Sequence, residues 1–212
     1  MTTYNDELSQ YITAQFAAED EVLQQVREAI PLRGLPAINI KPEEGHFLQF
    51  LARANGAIKA LEIGTLGGYS GIWIARGLVA GGRLITLEME PAHAAVAREH
   101  FDAAGVSGQV EVMEGDAHEL LPMLSGEAPF DFVFIDAEKS GYGAYFDWAL
   151  ENTRVGGIIA AHNAFQSGHI VGESSDESAD LMRVFNQRVA EEPRVLSTIY
   201  PGGDGMVIAV KR

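Results

Sequence analysis

Five short apolar runs in this chain lead into residues able to do chemistry. "KALEI" carries Glu62 and is followed by Gly64, "RLITLE" ends on Glu88, and "VEVME" leads to Asp116. "FDFVFI" runs into Asp136, and "GGIIAA" stops on His162 and Asn163. One polar residue after an apolar run is ordinary. Five in succession suggest side chains lining one crevice. Asp136 is a hard oxygen donor of the kind that suits Mg, Ca or Mn. It follows a buried run, where an unpaired carboxylate is costly; the alternative is that it caps the next helix. In "LEIGTLGGYS", Gly64, Gly67 and Gly68 allow a tight turn and close approach to a ligand. The helix that follows then offers free N–H groups. The same glycines would equally serve a plain strand-to-helix turn. The spacing is not GxGxxG, which argues against a nicotinamide-dependent oxidoreductase. Glu88, 24 residues beyond Gly64, fits a carboxylate that accepts ribose hydroxyls, or a solvated strand end.

These residues need elements to hold them. Apolar positions from Leu8 to Ile30 keep helical spacing after Asn5–Glu7, so one helix is expected to run to a stop at Pro31. A second helix is expected from Pro42 to about Ala54. Strand candidates "AIKALEI", "RLITLE", "QVEVME", "FDFVFID" and "GGIIAA" then alternate with helices near 69–79, 91–104, 117–124 and 143–152. Such alternation implies a parallel sheet with helices on both faces, a doubly wound Rossmann-like α/β fold. A last helix near 178–191 precedes "RVLSTIY" and "GMVIAV". These flank the turn-rich "PGGD" and should pair antiparallel at the sheet edge, making seven strands. Ligands of open sheets of this kind bind beyond the carboxyl ends of the strands, where the chemical residues fall.

Composition narrows the partners. The 212 residues, 47% hydrophobic, suit one domain over 1–212. With 15 Lys+Arg against 30 Asp+Glu the formal charge is −15, which repels nucleic acid. No cysteine is present, so thiolate metal sites and disulfides are excluded. The N-terminus carries no signal-peptide pattern, and no apolar stretch approaches membrane-spanning length, so a cytoplasmic protein is expected.

"LEIGTLGGYS", "LITLEMEP", "EGDA", "FDFVFIDAEKSGY" and "PGGDGMVIAVKR" occur in order between Ile38 and Arg212. Together they resemble the cation-dependent O-methyltransferase family that includes catechol and caffeoyl-CoA O-methyltransferases. The resemblance implies a class I methyltransferase fold, a seven-stranded sheet with its last strand antiparallel, that binds S-adenosylmethionine. It implies that Glu62, Gly64, Thr65 and Ser70, with Gly68 in the same turn, hold the methionine part. Glu88 would hold the ribose, with Asp116 and Ala117 at the adenine. Ile40, Asp136 and Glu138 match further cofactor-contacting positions. A homodimer is implied as well.

Methyl transfer from a sulfonium is an in-line displacement, so an oxygen nucleophile must be aligned and its proton removed. Alignment alone can contribute on the order of 7–11 kcal/mol. A phenolic hydroxyl with a pKa near ~10 is a poor nucleophile at neutral pH. A divalent cation chelated by vicinal hydroxyls would fix the ring and stabilise the oxyanion. By the resemblance Lys139 is the general base; it must be neutral to accept a proton, a state that burial promotes. Read from sequence alone, Lys139 is also compatible with a solvated helix start. The resemblance places metal ligands at Asp136, His162 and Asn163, yet His162 stands where the family carries aspartate. The substitution removes one negative charge. Imidazole suits Mn, Fe, Co, Ni or Zn better than Mg or Ca. His162 therefore marks a metal site of altered preference, a metal-free base or hydrogen-bond partner, or a strand end satisfied by a neighbour.

No Lys or Arg occurs in the first 26 residues, so a small phenol is a better acceptor than a CoA ester, whose phosphates need cations. Tyr142 is a candidate to face substrate, and His169 another. The Gly/Ser-rich Ala164–Ser178 is expected to be a mobile loop that shapes acceptor choice. Two functions remain: an O-methyltransferase acting on a catechol-like hydroxyl, and a binding module that keeps the cofactor but has lost the chemistry.

Overall fold

The structure is a computed structural model that describes residues 4–172 and 176–212. Three helices open the chain: α1 (Asp6–Phe16), α2 (Glu21–Leu32) and α3 (Pro42–Asn55). The single N-terminal helix expected from the periodicity is thus two. The side chain of Asp20 accepts the N–H of Leu23 and starts a new helix. Pro31 does not stop α2 but sits in its last turn.

The rest alternates as expected. β1 (Lys59–Ile63), α4 (Tyr69–Gly77), β2 (Arg83–Glu88), α5 (Pro91–Ala103), β3 (Val110–Glu114) and α6 (Ala117–Leu124) come first. β4 (Phe130–Ile135), α7 (Tyr142–Asn152), β5 (Thr153–His162), α8 (Glu177–Glu191), β6 (Val195–Tyr200) and β7 (Met206–Lys211) complete the chain. The seven strands lie in the order β3-β2-β1-β4-β5-β7-β6. β7 runs antiparallel to both β5 and β6, and the other pairings are parallel. The final hairpin forms as expected, with β7 turned inward and β6 left at the edge.

Residue alternation explains why the central strands are apolar throughout. Phe132 and Phe134 of β4 pack with α2–α5 on one face. Val133 and Ile135, between them, pack with α6–α8 on the other. Both faces are covered, so an apolar run replaces the one-sided pattern. From β1 the chain winds outward through β2 to β3, then returns to β4 on the opposite side of β1. This reversal opens a crevice at the carboxyl ends of β1 and β4.

Candidate active site

A cavity of about 600 Å³ occupies that crevice. Ile40, Gly64, Thr65, Ser70, Glu88, Ala117, Asp136, Glu138, Lys139 and Asn163 all line it, although they are spread over more than half the sequence. Among the described residues, four that are not glycine have left-handed backbone: Leu66 (φ 49), Asn163 (φ 58), Gln166 (φ 45) and Ser167 (φ 53). All four line the cavity. Such conformations cost of order 1–3 kcal/mol each and collect where surrounding structure enforces a functional shape.

The β1 end is held by main chain. Gly64 has φ 97, and a Cβ there would drive into the carbonyl of Asp136, so only glycine lets the turn lie against the end of β4. The carboxylate of Glu88 accepts the N–H of Thr65 (3.2 Å) and of Leu66 (2.7 Å) on one oxygen, and that of Glu90 (3.0 Å) on the other. His93 Nδ1 lies 3.5 Å from it. Glu88 is thereby fixed with lone pairs left for hydroxyl donors. Glu62 is not on the cavity wall. It is fully buried beneath the turn, accepting the hydroxyls of Ser70 and Thr86, each at 2.6 Å. Burial pushes its pKa up to about 7, against the lowering effect of those two hydrogen bonds. Gly68 caps α4 and packs on Phe101, and Asp116 caps α6 by accepting the N–H of His118. Neither lines the cavity, whereas Ala117 does.

The β4 and β5 ends are held by side chains. Lys139 Nζ donates to the carbonyl of Ala137 (3.0 Å) and to Tyr142 Oη (2.7 Å), and lies 3.5 Å from Asp136 Oδ1. Burial lowers its pKa, outweighing the Asp136 carboxylate that pulls the other way. Asp136 is itself held below the usual carboxylate range: burial would raise it, but His162 and Lys139 prevail. Tyr142 is fully buried and does not face the cavity; it braces Lys139 and donates to the carbonyl of His162 (3.3 Å). Glu138 lines the cavity and accepts the hydroxyl of Tyr145.

His162 is buried and off the cavity wall. Its Nε2 lies 2.8 Å from Glu44 Oε1, and its Nδ1 3.2 Å from Asp136 Oδ2, an ion-pair distance outside hydrogen-bond direction. Burial opposes its charge, but the two carboxylates prevail and raise its pKa to about 10. Asn163 Nδ2 donates to Asp204 Oδ2 (2.9 Å). Neither Glu44 nor Asp204 was identified in the sequence. The glutamate does carry one legible signal, since it stands three residues after Lys41 at the helix start and accepts the Lys41 N–H (2.9 Å) as a capping acid.

Asp136 offers carboxylate oxygens, His162 an Nδ1 without a hydrogen-bond partner and Asn163 an amide oxygen, the donor types that the resemblance implies for a divalent cation. Lys139 Nζ lies 3.5 Å from Asp136 Oδ1 and His162 Nδ1 3.2 Å from its Oδ2, Glu44 takes His162 Nε2, and Asp204 takes the Asn163 Nδ2 but not its Oδ1. Among the described residues no group of three or more His, Cys, Asp or Glu side chains is arranged to hold a metal ion.

Part of the loop expected over Ala164–Ser178 is tied to the turn before β7. Ala164 N donates to the carbonyl of Gly205 (3.0 Å), Phe165 N to that of Asp204 (2.9 Å), and Ser167 N to Asp204 Oδ1 (2.5 Å). Residues 173–175 lie outside the described residues. His169 is exposed and away from the cavity wall.

The sheet order, with its antiparallel β7 and a crevice at the β1/β4 switch point, defines a class I methyltransferase. The O-methyltransferase family profile matches residues 12–212. The chain is 41% identical over 213 residues to a catechol O-methyltransferase of Niastella koreensis, covering 97% of this chain and 96% of that one. It is 40% identical over 207 residues to a catechol O-methyltransferase of Mycobacterium tuberculosis, covering 95% and 94%. The crystal structure of the O-methyltransferase from Bacillus cereus in complex with SAH superposes with a TM-score of 0.88 at 40% identity, over 97% of each chain. The chain belongs to the S-adenosylmethionine-dependent O-methyltransferase family, as its motifs imply.

Proposed function

We propose that this enzyme transfers the methyl group of S-adenosylmethionine to a hydroxyl of a small catechol-like phenol, with Lys139 as the proton acceptor. The observation that carries the reading is Lys139 itself: a partly buried lysine of lowered pKa on the wall of the same cavity as the Gly64–Ser70 turn and Glu88. Glu88 takes the ribose hydroxyls, while Gly64, Thr65 and Ser70 approach the methionine part. Ile40, Ala117 and Glu138 complete the cofactor's surroundings. Glu62 acts from beneath, holding Ser70 in place, and Gly68 and Asp116 shape the turn and the α6 start.

Lys139 in its neutral form accepts the phenolic proton on Nζ as the oxygen attacks the methyl carbon. The carbon–sulfur bond breaks and the sulfur keeps the electron pair. Asp136 stabilises the ammonium that results, and Tyr142 and the carbonyl of Ala137 keep Nζ in place. No step passes through a metal ion. Catechol names among the relatives support the acceptor class. The acidic charge argues for an acceptor without phosphates.

A methylation assay over a panel of catechols and phenols, read by mass spectrometry, tests the proposal. Turnover of at least one acceptor, lost in Lys139→Met while S-adenosylhomocysteine still binds, supports it. Cofactor binding without turnover on any acceptor, with EDTA or with added Mg, Mn, Co or Zn, supports the binding module instead. The proposal carries the chain as one domain over 1–212, a homodimer and cytoplasmic. Sedimentation and cell fractionation test the last two. Among the described residues no helix is long and apolar enough to cross a membrane.

A further inference from the structure

We infer that Asp204, in the turn before β7, is the positioning residue of the acceptor wall: it pins the chain from Asn163 to Ser167 and so sets how tightly the acceptor is held beside Lys139. The inference rests on the proposed reaction for the identity of that wall, while the contacts that make the clasp stand apart from it. Tyr142, which braces Lys139, donates to the carbonyl of His162 (3.3 Å), and that peptide leads straight into Asn163. Asn163, Gln166, Ser167 and Asp204 line the cavity together with Lys139.

Asn163 (φ 58), Gln166 (φ 45) and Ser167 (φ 53) all have left-handed backbone, a shape that residues with a side chain keep only where surrounding contacts enforce it. Asp204 supplies such contacts. Its Oδ1 accepts the N–H of Ser167 (2.5 Å), its Oδ2 accepts Asn163 Nδ2 (2.9 Å), and its carbonyl accepts the N–H of Phe165 (2.9 Å). An ionised carboxylate only accepts hydrogen bonds, so it meets the nitrogen end of the Asn163 amide and leaves the oxygen end untaken.

The clasp has a fixed base. Asp204 is the one residue of the GGDG stretch 202–205 with a side chain. Its N–H donates to Glu44 Oε1 (3.3 Å), and a Cβ on the neighbouring Gly203 would collide with the Glu44 carboxylate. Glu44 is itself anchored at the start of α3 by the N–H of Lys41 (2.9 Å). The outer side of the loop is held separately, from α8: Arg183 donates to the carbonyls of Ile170 (2.9 Å), His169 (2.5 Å) and Gly172 (3.2 Å), and none of those three residues lines the cavity.

Asp204→Asn keeps the shape of the side chain but replaces one acceptor with an N–H2 group. That group must face either the Ser167 N–H or Asn163 Nδ2, donor against donor. Pairing Asp204→Asn with Asn163→Asp returns both bonds with the charge moved across, since the new amide donates to the new carboxylate and still accepts from Ser167. Aspartate tolerates left-handed backbone as asparagine does.

The test reads backbone hydrogen exchange on the full-length enzyme saturated with S-adenosylhomocysteine, and kinetics with catechol as acceptor. In wild type the Phe165 and Ser167 amides are expected to exchange at least about 100-fold more slowly than unprotected amides. Asp204→Asn is expected to speed exchange over 164–168 at least about tenfold and leave the glycine turn near Gly64 unchanged, and the paired variant to return within about threefold of wild type. In kinetics, Asp204→Asn is expected to raise the catechol KM about tenfold while kcat and the cofactor KM stay within about threefold. Arg183→Ala, which frees only the outer side, should leave the catechol KM within about twofold. Unprotected Phe165 and Ser167 amides in wild type overturn the inference, as does an Asp204→Asn enzyme with unchanged exchange. It is equally overturned if Arg183→Ala raises the catechol KM as much as Asp204→Asn, or if the paired variant restores no protection. Exchange needs no turnover, so it decides the inference even if no acceptor is methylated, an outcome that would strike the proposed reaction instead; wild type alone decides it if the variants do not fold.

Discussion

The two ends of the crevice hold their carboxylates in different ways. At the β1/β2 end, Glu88 is fixed by three backbone N–H groups, and the turn around it is shaped by glycine. At the β4/β5 end, Asp136 is fixed by Lys139 and His162, and His162 in turn by Glu44. Main-chain donors are present whatever the side chains nearby, so the first end tolerates sequence change around it. A side-chain pair exists only while both partners do, so a single replacement at Lys139 or His162 can rewrite the second end. On the reading proposed, the cofactor end is held by main chain and the acceptor end by side chains that depend on one another.

The largest effect that would break this division comes from Lys139→Met. kcat is expected to fall by about 10²- to 10⁴-fold, with S-adenosylhomocysteine affinity, measured by calorimetry, within about threefold of wild type. An equal loss in both would mean that the two ends are not separable. Glu88→Gln should do the reverse. Hydrogen bonds to a charged acceptor contribute about 1.5–3 kcal/mol, so cofactor affinity is expected to weaken by about 10- to 100-fold while kcat at saturating cofactor holds.

The pH profile sharpens the acceptor end. Burial lowers the Lys139 pKa, and only the neutral amine accepts a proton. kcat should therefore rise about tenfold per pH unit on the acid side and level off below pH 10.5, the ordinary value. Lys139→Met should lack this limb; a limb that survives the substitution assigns the base elsewhere.

The smallest effect concerns Glu62, under the cofactor turn. Its folded pKa of about 7 exceeds the ordinary 4.5 because burial disfavours the anion. As pH rises the unfolded chain ionises first, so the cofactor-free protein loses stability between these two values. Glu62→Gln escapes this loss. The melting temperature of the variant relative to wild type should rise by about a few degrees between pH 5 and pH 8. A difference independent of pH would show that Glu62 ionises freely in the fold.

Much of this was legible before the fold was known. Strand and helix alternation, the glycine turn and the row of chemical residues at strand ends all follow from patterns spanning a few residues. The N-terminal periodicity misled because two helices separated by four residues can keep their apolar positions in step; the local signal, Asp20 as a cap, was there to be weighed. Tyr142 has an aromatic's usual packing position, and only its hydroxyl contacts show that it braces Lys139.

By itself the sequence determined the sheet, the crevice and most of the residues that line it, because hydrophobic period and turn chemistry are local properties of the chain; Glu62, Gly68, Asp116 and His162 lie off its wall. Only the tertiary structure decided what His162 meets. Its partner Glu44 lies 118 residues away, and the charge and proton pattern of a buried imidazole depend on which carboxylates packing brings against it. No spacing along the chain encodes that proximity.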